Sequence, residues 1–387
     1  MRLATKTECT GCGVCKAVCK KEAIELKENS EGFYEPKIEE EKCVSCQQCI
    51  KHCPILNESC GSRQSEFNQT IYTACCLDPN IVKASSSGGI FYTIANYFIS
   101  NGGVVYGAAW TQDLKVTHVR VDKTQDLHEL LKSKYVQSNI NAVYIKIKKD
   151  LEQGYQVLFS GTPCQVAAVK SYFGLKRNNL FCIDIVCHGV PSQNLFDDYV
   201  RFFGDKYGKI KQYSFREKIE IFGSYGTIIQ CEKKKYIRNW RELSYSYLFM
   251  NGYISRESCY RCKYSNEHRE GDITLGDFWG VKEFHPQFDV DKGASLVMVN
   301  TEQGNYVLNQ IKNSVLIEQS SFENASKYNE QIKKPSKRPE ERDCLLKEWK
   351  AKGYRYLYSF YKRKAKGMWR DKLKRAIFFL KKHNKRI

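Results

Sequence analysis

The chain has 387 residues, of which 42% are hydrophobic and 27% are charged, which excludes a disordered or fibrous protein and predicts two or three globular domains. Its net charge is +19, but residues 333–387 alone contain 21 Lys and Arg against 5 Asp and Glu. Because the basic residues are concentrated there and no groove-reading motif accompanies them, the charge does not indicate nucleic-acid binding.

No secretory or membrane-spanning segment is predicted. The first residues form no apolar signal segment, and no run of about eighteen apolar residues occurs in the sequence. We therefore expect a cytoplasmic chain. In that compartment its 18 cysteines are expected to be metal ligands or redox groups and not disulfides.

Two cysteine runs of identical spacing dominate the N-terminal region. They read Cys9-x2-Cys12-x2-Cys15-x3-Cys19 and Cys43-x2-Cys46-x2-Cys49-x3-Cys53-Pro54. This is the ligand spacing of a bacterial-type ferredoxin with two [4Fe–4S] clusters, in which the fourth cysteine of each run ligates the other cluster. A zinc site would instead take its cysteines as separated pairs. We predict one cluster on Cys9, Cys12, Cys15 and Cys53, and the other on Cys43, Cys46, Cys49 and Cys19.

The elements that follow alternate between strands and helices. Between the cysteine runs, residues 22–26 and 31–38 predict a β-hairpin, and the polar residues 57–70 predict a linker. Further on, the apolar runs 155–159 and 180–186 predict buried strands that each lead through a loop into a helix. This alternation predicts a parallel α/β core with its chemistry in the loops at the strand ends.

A turn rich in Ser and Gly precedes the apolar helical pattern of residues 90–99. Small residues at the start of a helix leave backbone N–H groups free, which suits a phosphate. A serine N-cap without any ligand explains the same residues. The residues of this turn are Ser86, Ser87, Gly88 and Gly89.

Four further cysteines stand at predicted turns, namely Cys164, Cys187, Cys259 and Cys262. Together they could hold a third [4Fe–4S] cluster. A structural zinc on the Cys259-x2-Cys262 pair is the main alternative. For Cys164 and Cys187, buried and inert thiols are a further alternative.

Residues 333–387 predict a basic helical tail. Trp369, Leu373, Ile377 and Leu380 repeat at helical spacing, and basic residues lie elsewhere on the same helix. Such a helix could rest on an anionic membrane surface, which would place the chain at the inner face of the membrane. It could equally pack against the core with its lysines in solvent.

Five motifs in a fixed order give the chain a resemblance to a known family. They are Ser-Ser-Gly-Gly at 86–89, Gly-Thr-Pro-Cys-Gln at 161–165, Cys-His-Gly-Val-Pro-Ser at 187–192, Cys-x2-Cys at 259–262 and Gly-Asp-Phe-Trp-Gly at 276–280. Residues 1–330 resemble the beta subunit of coenzyme F420-reducing hydrogenases and dehydrogenases, with a two-cluster ferredoxin domain fused to its N-terminus. The basic tail lies outside this resemblance.

The resemblance implies an iron–sulfur flavoprotein that binds FAD in its α/β domain, close to a [4Fe–4S] cluster. It favours the third cluster at the four later cysteines. His188 could donate a proton or a hydrogen bond to the flavin, or could serve only as a loop residue. The cofactor contacts that the resemblance implies are Ser86, Ser87, Gly88, Gly89, Lys134, Tyr135, Gln137, Gly161, Thr162 and Pro163.

We therefore predict an α+β chain of three parts: a bacterial-type ferredoxin domain at 1–58, an α/β flavin-binding domain at 70–332 and the basic helical tail at 333–387. An electron-donor protein or redox complex would supply single electrons, which would pass through the clusters to FAD and on to a small organic substrate. The tail, together with the occurrence of such fused chains beside polysaccharide enzymes, suggests a role in surface polysaccharide biosynthesis. The alternative function is a non-catalytic electron carrier or docking subunit of a larger redox complex.

Overall fold

The computed structural model describes residues 3–57, 67–174, 177–219, 224–288 and 293–365. At the N-terminus the cysteine runs flank a β-hairpin, as predicted. The elements of this module are α1 (Val14–Ala17), β1 (Ile24–Glu28), β2 (Tyr34–Ile38) and α2 (Gln48–Lys51). Strands β1 and β2 pair antiparallel, with Ile24 opposite Ile38 and Glu28 opposite Tyr34.

The helices α1 and α2 each begin after a residue in the left-handed conformation. Gly13 has a φ of 74° and Gln47 a φ of 59°, and each follows the second cysteine of its run. The left-handed residue turns the backbone sharply, so the three cysteines at x2 spacing wrap round one site.

The elements of the remaining chain, in order, are β3 (Thr70–Cys76), α3 (Pro79–Ala84), α4 (Ile90–Ser100), β4 (Val104–Trp110), β5 (Val116–Val121), α5 (Val143–Glu152), β6 (Val157–Gly161), α6 (Pro163–Phe173), β7 (Leu180–Ile185), α7 (Gln193–Tyr207), β8 (Ile210–Ile219), β9 (Ser224–Cys231), β10 (Lys235–Asn239), α8 (Ser244–Met250), β11 (Ile273–Asp277), α9 (Val281–Phe284), β12 (Ser295–Val299), α10 (Glu302–Gln310), β13 (Val315–Ser320), α11 (Phe322–Ser326) and α12 (Arg342–Lys352). Short 3-10 helices lie at Thr124–Leu130, Trp240–Glu242, Glu257–Arg261, Lys312–Ser314 and Glu330–Ile332. Residues 354–365 are also helical.

An eight-stranded sheet forms the centre, in the order β13-β3-β12-β11-β7-β6-β4-β5. Strands β4, β6, β7 and β11 run parallel to one another, which is the parallel core that the alternating pattern predicts. The flanking strands β5, β12, β3 and β13 are antiparallel to their neighbours. The fold is therefore α+β with a ferredoxin-type N-terminal domain and a helical C-terminal region, which confirms the predicted fold class.

Alternate side chains of the inner strands face opposite layers of helix, as the two-residue period of a strand requires. In β6, Leu158 packs in the same core as Ile94 of α4, on one face of the sheet. Val157 and Phe159 pack on the other face, in the same core as Val166 of α6. Because β6 and β7 are parallel and Gly161 pairs with Asp184, the loops that follow them leave the same edge of the sheet.

A second core, rich in aromatic side chains, lies between α7, α8, the three-stranded sheet β10-β9-β8 and the C-terminal helices. The C-terminal segment contributes buried Leu345, Leu346, Trp349, Tyr354 and Leu357 to it. The composition of residues 333–387 predicts a separate basic tail, whereas residues 342–365 are part of this core. Their lysines face solvent and their apolar side chains face inward, which is the pattern of an amphipathic surface helix.

The predicted apolar stripe of Trp369, Leu373, Ile377 and Leu380 lies outside the described residues. Within the ranges given above, no helix combines the length and the apolar character needed to cross a bilayer.

Candidate redox centres and cofactor cavity

The N-terminal cysteines form two groups in the structure. Cys12 interacts electrostatically with Cys9 and Cys53, and Cys15 interacts with all three. These four thiols line one small cavity, whose wall also includes Cys49. In the second group, Cys49 interacts with Cys19 and Cys46, and Cys43 lies on the same loop as Cys46. The fourth cysteine of each run thus lies with the first three of the other.

The two groups differ in exposure. Cys9, Cys12 and Cys15 are buried, whereas Cys46 is exposed and its neighbour Val44 is 59% exposed. Burial, together with the adjacent thiols of Cys9 and Cys53, raises the pKa of Cys12 to about 12. Only a bound cation would hold such buried thiols as thiolates. Because Cys46 is exposed, the second group is the one that an external molecule can approach.

A third group forms from the four later cysteines. Cys164 lies in the first turn of α6, Cys187 follows β7, and Cys259 and Cys262 flank the end of a 3-10 helix. All four line one cavity of about 330 Å³. Cys187 interacts with Cys259 and Cys262, and Cys164 interacts with Cys262 and Cys187. The four cysteines that the sequence suggests as ligands of a third cluster are thus brought to one place.

Two tyrosines lie between the first and third groups. The Tyr144 hydroxyl donates to the Cys12 carbonyl at 3.0 Å, and Tyr144 interacts electrostatically with Cys12, Cys15 and Cys164. Tyr264 interacts with Cys164, Cys12 and Cys262. Its hydroxyl is buried without a hydrogen-bond partner among the described residues, and the ring lines the third-group cavity. A polar atom left unpaired at this place is what a bound cluster would satisfy.

The ferredoxin-type domain is held against the α/β domain at the first group. The buried Arg256 donates to the carbonyl oxygens of Cys9 at 2.7 Å and Tyr34 at 2.9 Å. Ser258 donates to the same Cys9 carbonyl at 3.0 Å, and Gln137 donates to the Thr10 carbonyl at 2.9 Å. Arg256 and Ser258 precede Cys259 in the chain, so this contact fixes the first group relative to the third.

A second cavity, of about 300 Å³, opens at the strand-end edge of the sheet, and we call it the strand-end cavity. Most of the predicted cofactor residues line it, namely Ser86, Ser87, Gly89, Lys134, Tyr135, Gln137, Gly161, Thr162 and His188. Two do not. Pro163 lines the third-group cavity instead. Gly88 donates its N–H to Ser295 Oγ at 2.9 Å, and a Cβ at this position would lie 2.5 Å from the Ala74 carbonyl oxygen, so only glycine fits there.

The Ser–Gly turn leaves the start of α4 uncapped by side chains. Gly89 is the N-cap residue, with a φ of 83°, and no side chain among the described residues caps the helix. The alternative of a serine N-cap is therefore wrong. The hydroxyl of Ser87 donates to the Ala294 carbonyl at 2.9 Å, and that of Ser86 accepts from the Ser133 N–H at 3.1 Å. Ser85, which sequence analysis missed, lines the cavity with a buried hydroxyl that has no partner in the described ranges.

Charged groups of the cavity have shifted pKa values. Burial, together with the nearby charge of Lys132, lowers the pKa of Lys134 to about 7. Burial lowers the pKa of His118 to about 4 and also depresses the pKa of His188. Both histidines are therefore neutral at pH 7, while Lys134 is close to its titration point.

Arg216 and Asp277 form an ion pair in the cavity wall that the sequence did not reveal. Arg216 of β8 bonds to Asp277 of β11, with the closest N–O distance 2.6 Å. The guanidinium also lies 3.8 Å from the centre of the Tyr225 ring and 5.6 Å from that of Trp279. Asp277 and Trp279 belong to the Gly-Asp-Phe-Trp-Gly motif, so a signal existed for them. Arg216 had none, because a separate sheet brings it to the cavity.

The two cavities share a wall. Thr162, Cys164, Cys187, His188, Gly189 and Val190 line both of them. The three cysteine groups and the strand-end cavity therefore form a row: the exposed second group, the first group, the third group and then the strand-end cavity.

Comparison with known proteins gives matches to both parts of the chain. Residues 8–56 match the family model of the 4Fe-4S dicluster domain. Residues 154–325 match the family model for the C terminus of the coenzyme F420 hydrogenase/dehydrogenase beta subunit.

Two individual proteins match shares of the chain that differ widely. The B subunit of the Na(+)-translocating ferredoxin:NAD(+) oxidoreductase complex from Acetobacterium woodii is 48% identical over 46 residues, which are 12% of this chain and 13% of that protein. A chain of the F420-reducing [NiFe] hydrogenase complex from Methanosarcina barkeri is 17% identical, with a TM-score of 0.45, and the match covers 75% of this chain and 90% of that one.

Proposed function

Because the chain joins a 4Fe-4S dicluster domain to a C-terminal domain of the coenzyme F420 hydrogenase/dehydrogenase beta-subunit family, we propose that it is an iron–sulfur flavoprotein oxidoreductase acting on an organic substrate. The observation that carries this proposal is the row of three cysteine groups that ends at the wall of a large cavity. When bound, [4Fe–4S] clusters would pass single electrons along this row, and FAD would take up two and deliver them together.

Twelve cysteines are proposed as cluster ligands. The geometry favours cross-ligation in the N-terminal domain and a third set formed by Cys164, Cys187, Cys259 and Cys262. Four thiols in one cavity suit a cubane better than a zinc site on the Cys259–Cys262 pair, because all four interact with one another there. The unpaired Tyr264 hydroxyl adds support for a bound group at this place.

The strand-end cavity is proposed to hold FAD. Three features support this assignment: the uncapped start of the eleven-residue helix α4, the unpaired Ser85 hydroxyl and the lining by Lys134, Tyr135 and Gln137. Free N–H groups at the start of a helix bind phosphate, so Ser86, Ser87 and Gly89 would contact the pyrophosphate. Lys134, whose pKa is about 7, could supply a proton at neutral pH.

The two ends of the row define where partners would act. The loop that carries exposed Cys46 and Val44 is proposed as the surface at which an electron-donor protein or redox complex docks. At the other end, Arg216, Asp277 and Trp279 line the cavity, and a small organic substrate would lie against these polar and aromatic side chains. His188, in the shared wall, is proposed to orient the group bound in the cavity by a hydrogen bond.

Cofactor stoichiometry tests the proposal. We expect the full-length protein, purified without oxygen, to contain about twelve iron atoms and about one FAD per chain. Iron, acid-labile sulfide and flavin should be determined on one sample. About eight iron atoms without flavin would overturn the proposal and leave the non-catalytic electron carrier or docking subunit.

The C-terminal residues are proposed to bring the enzyme to an anionic membrane surface, where a membrane-attached polysaccharide intermediate could be its substrate. Residues 366–387 contain nine Lys and Arg and one acidic residue, which suits anionic lipid headgroups. Truncation after Ala365 keeps every described residue of the core, so we expect it to retain fold and cofactors.

The same truncation should abolish co-sedimentation with liposomes that contain anionic lipid. Liposomes of neutral lipid serve as the control, because electrostatic attraction contributes nothing to binding there. Undiminished binding of the truncated chain to anionic liposomes would exclude a membrane role for residues 366–387.

A further inference from the structure

Thr162 lies at the point where the two cavities meet. It is the N-cap residue of α6, two residues before Cys164. Its hydroxyl oxygen lies 3.2 Å from the Cys164 sulfur and 3.1 Å from Gln165 Oε1. A hydroxyl has one proton to donate, so these two acceptors compete for it.

The hydrogen bonds around Gln165 decide how its amide is oriented. Gln165 Nε2 lies 3.0 Å from Ser138 Oγ and 3.2 Å from the Ser138 carbonyl oxygen. The carbonyl can only accept, so the amide nitrogen must face Ser138 and Oε1 must face Thr162. Oε1 already accepts from the Thr162 backbone N–H at 3.0 Å. It therefore remains satisfied when the hydroxyl proton goes to the sulfur.

His118 holds the other end of this chain of hydrogen bonds. Its Nε2 lies 2.8 Å from the Ser160 carbonyl oxygen, so the proton of the neutral ring is on Nε2. Its Nδ1 is then an acceptor, and Ser138 Oγ donates to it at 3.0 Å. Every proton from His118 to Gln165 is thereby assigned. Within this series of hydrogen bonds, the Thr162 hydroxyl is the donor that has a choice between two acceptors.

We propose that the Thr162 hydroxyl donates to Cys164 Sγ when Cys164 is a cluster ligand, and that this hydrogen bond raises the reduction potential of the third cluster. The inference rests on the proposed function. A thiolate sulfur is charged, so it is a stronger acceptor than the amide oxygen. Reduction adds negative charge to the cluster, so a donor to its sulfur stabilises the reduced form more than the oxidised form. Thr162, predicted as a flavin contact, is thus a positioning residue that tunes the cluster.

The test compares Thr162→Val with Thr162→Ser in the full-length, anaerobically purified protein. The midpoint potential of each cluster is measured by a redox titration followed by electron paramagnetic resonance. The valine variant should shift the third cluster to a lower potential and leave the other two unchanged. The serine variant, which keeps the hydroxyl, should retain the wild-type potential.

Thr10→Val provides the matched control. The Thr10 hydroxyl is hydrogen-bonded to the Cys12 thiol, so this variant should lower the potential of the first cluster and leave the third unchanged. Three outcomes overturn the inference: an unchanged third cluster in Thr162→Val, an equal shift of all clusters, or a serine variant that behaves like valine.

Absence of a third cluster from the wild-type protein overturns the inference and the proposed function together. Iron content is determined before the titration, so this failure is distinguished from a wrong role for Thr162. A purely structural role for the cap would lower the denaturation midpoint of Thr162→Val, and not that of Thr162→Ser, without a selective shift in potential.

Discussion

Replacing Cys164 with serine is expected to lower the bound iron from about twelve to about eight atoms per chain. Cys164 lies at the shared wall of the two cavities and interacts with both Cys262 and Cys187. Without the Cys164 thiolate, three thiols remain for four iron atoms, so one iron has no protein ligand and the cluster is expected to be lost. The spectroscopic signals of the two N-terminal clusters should remain, because their cysteines lie in a separate domain.

The same variant separates a cluster from a structural zinc. A zinc ion on Cys259 and Cys262 would leave the wild-type protein with about eight iron atoms and about one zinc per chain. Cys164→Ser would then have the same iron and zinc content as the wild type, whereas Cys262→Ser would release the zinc. Metal analysis of the wild type and the two variants therefore gives a different pattern for each case.

Cys344→Ser is the matched control for this experiment. Cys344 is exposed on α12 and lines neither the third-group cavity nor the strand-end cavity. Its replacement should leave iron and flavin unchanged. If Cys164→Ser also retained about twelve iron atoms, Cys164 would not be a ligand.

The sequence predicted the N-terminal sites because their information is local. Three cysteines at x2 spacing can only wrap round one site, and the two runs lie close together in the chain. The four later cysteines are separated by up to about one hundred residues, so their grouping depends on which strands are neighbours. Cys164 follows β6 and Cys187 follows β7, and these strands are adjacent and parallel. The position of the Cys259–Cys262 turn depends on long-range contacts such as that of Arg256 with Cys9.

Other parts of the fold could not be predicted for related reasons. Strand β3 lies between β12 and β13, far away in sequence, and no short pattern specifies such a pairing. Arg216 reaches the cavity from the three-stranded sheet, so its partner Asp277 is found only in the folded chain. In the C-terminal segment, net charge concealed the buried face that contains Trp349, because composition averages over both faces of a helix.

Replacing Arg342 with methionine is expected to destabilise the folded protein by about 3–5 kcal/mol. The Arg342 side chain is fully buried and binds Glu31 at 2.7 Å and Glu257 at 2.9 Å. Methionine fills similar volume but removes the guanidinium that both buried carboxylates share, which leaves Glu31 with Lys6 and Glu257 with Arg338. Glu31 belongs to the ferredoxin-type domain, and Glu257 belongs to the 3-10 helix that contains Cys259. Free energies of unfolding from denaturant titrations of the anaerobic proteins measure the effect.

The effect should depend on pH. Burial would raise the pKa of Glu31, but hydrogen bonds from Arg342 and Lys6 outweigh it and hold the pKa below its ordinary value. A lowered carboxyl pKa stabilises the fold above the unfolded pKa of about 4.3 and loses this effect as the pH falls through the folded pKa. Without Arg342, burial is opposed only by Lys6, and the Glu31 pKa rises. The difference in stability between wild type and Arg342→Met should therefore be largest near pH 7 and shrink toward pH 4.

Lys350→Met tests whether burial is what gives Arg342 its effect. Lys350 lies on the same helix α12 and pairs with Glu28 of the same ferredoxin-type domain at 2.9 Å, but the two side chains are 38% and 34% exposed. An exposed pair contributes about 0–1 kcal/mol, so this variant should differ little from wild type at any pH. If Arg342→Met were equally mild, the contacts of Arg342 with Glu31 and Glu257 would not hold the two domains together. The alignment of the first and third cysteine groups would then depend on Arg256 and its bonds to the Cys9 and Tyr34 carbonyls.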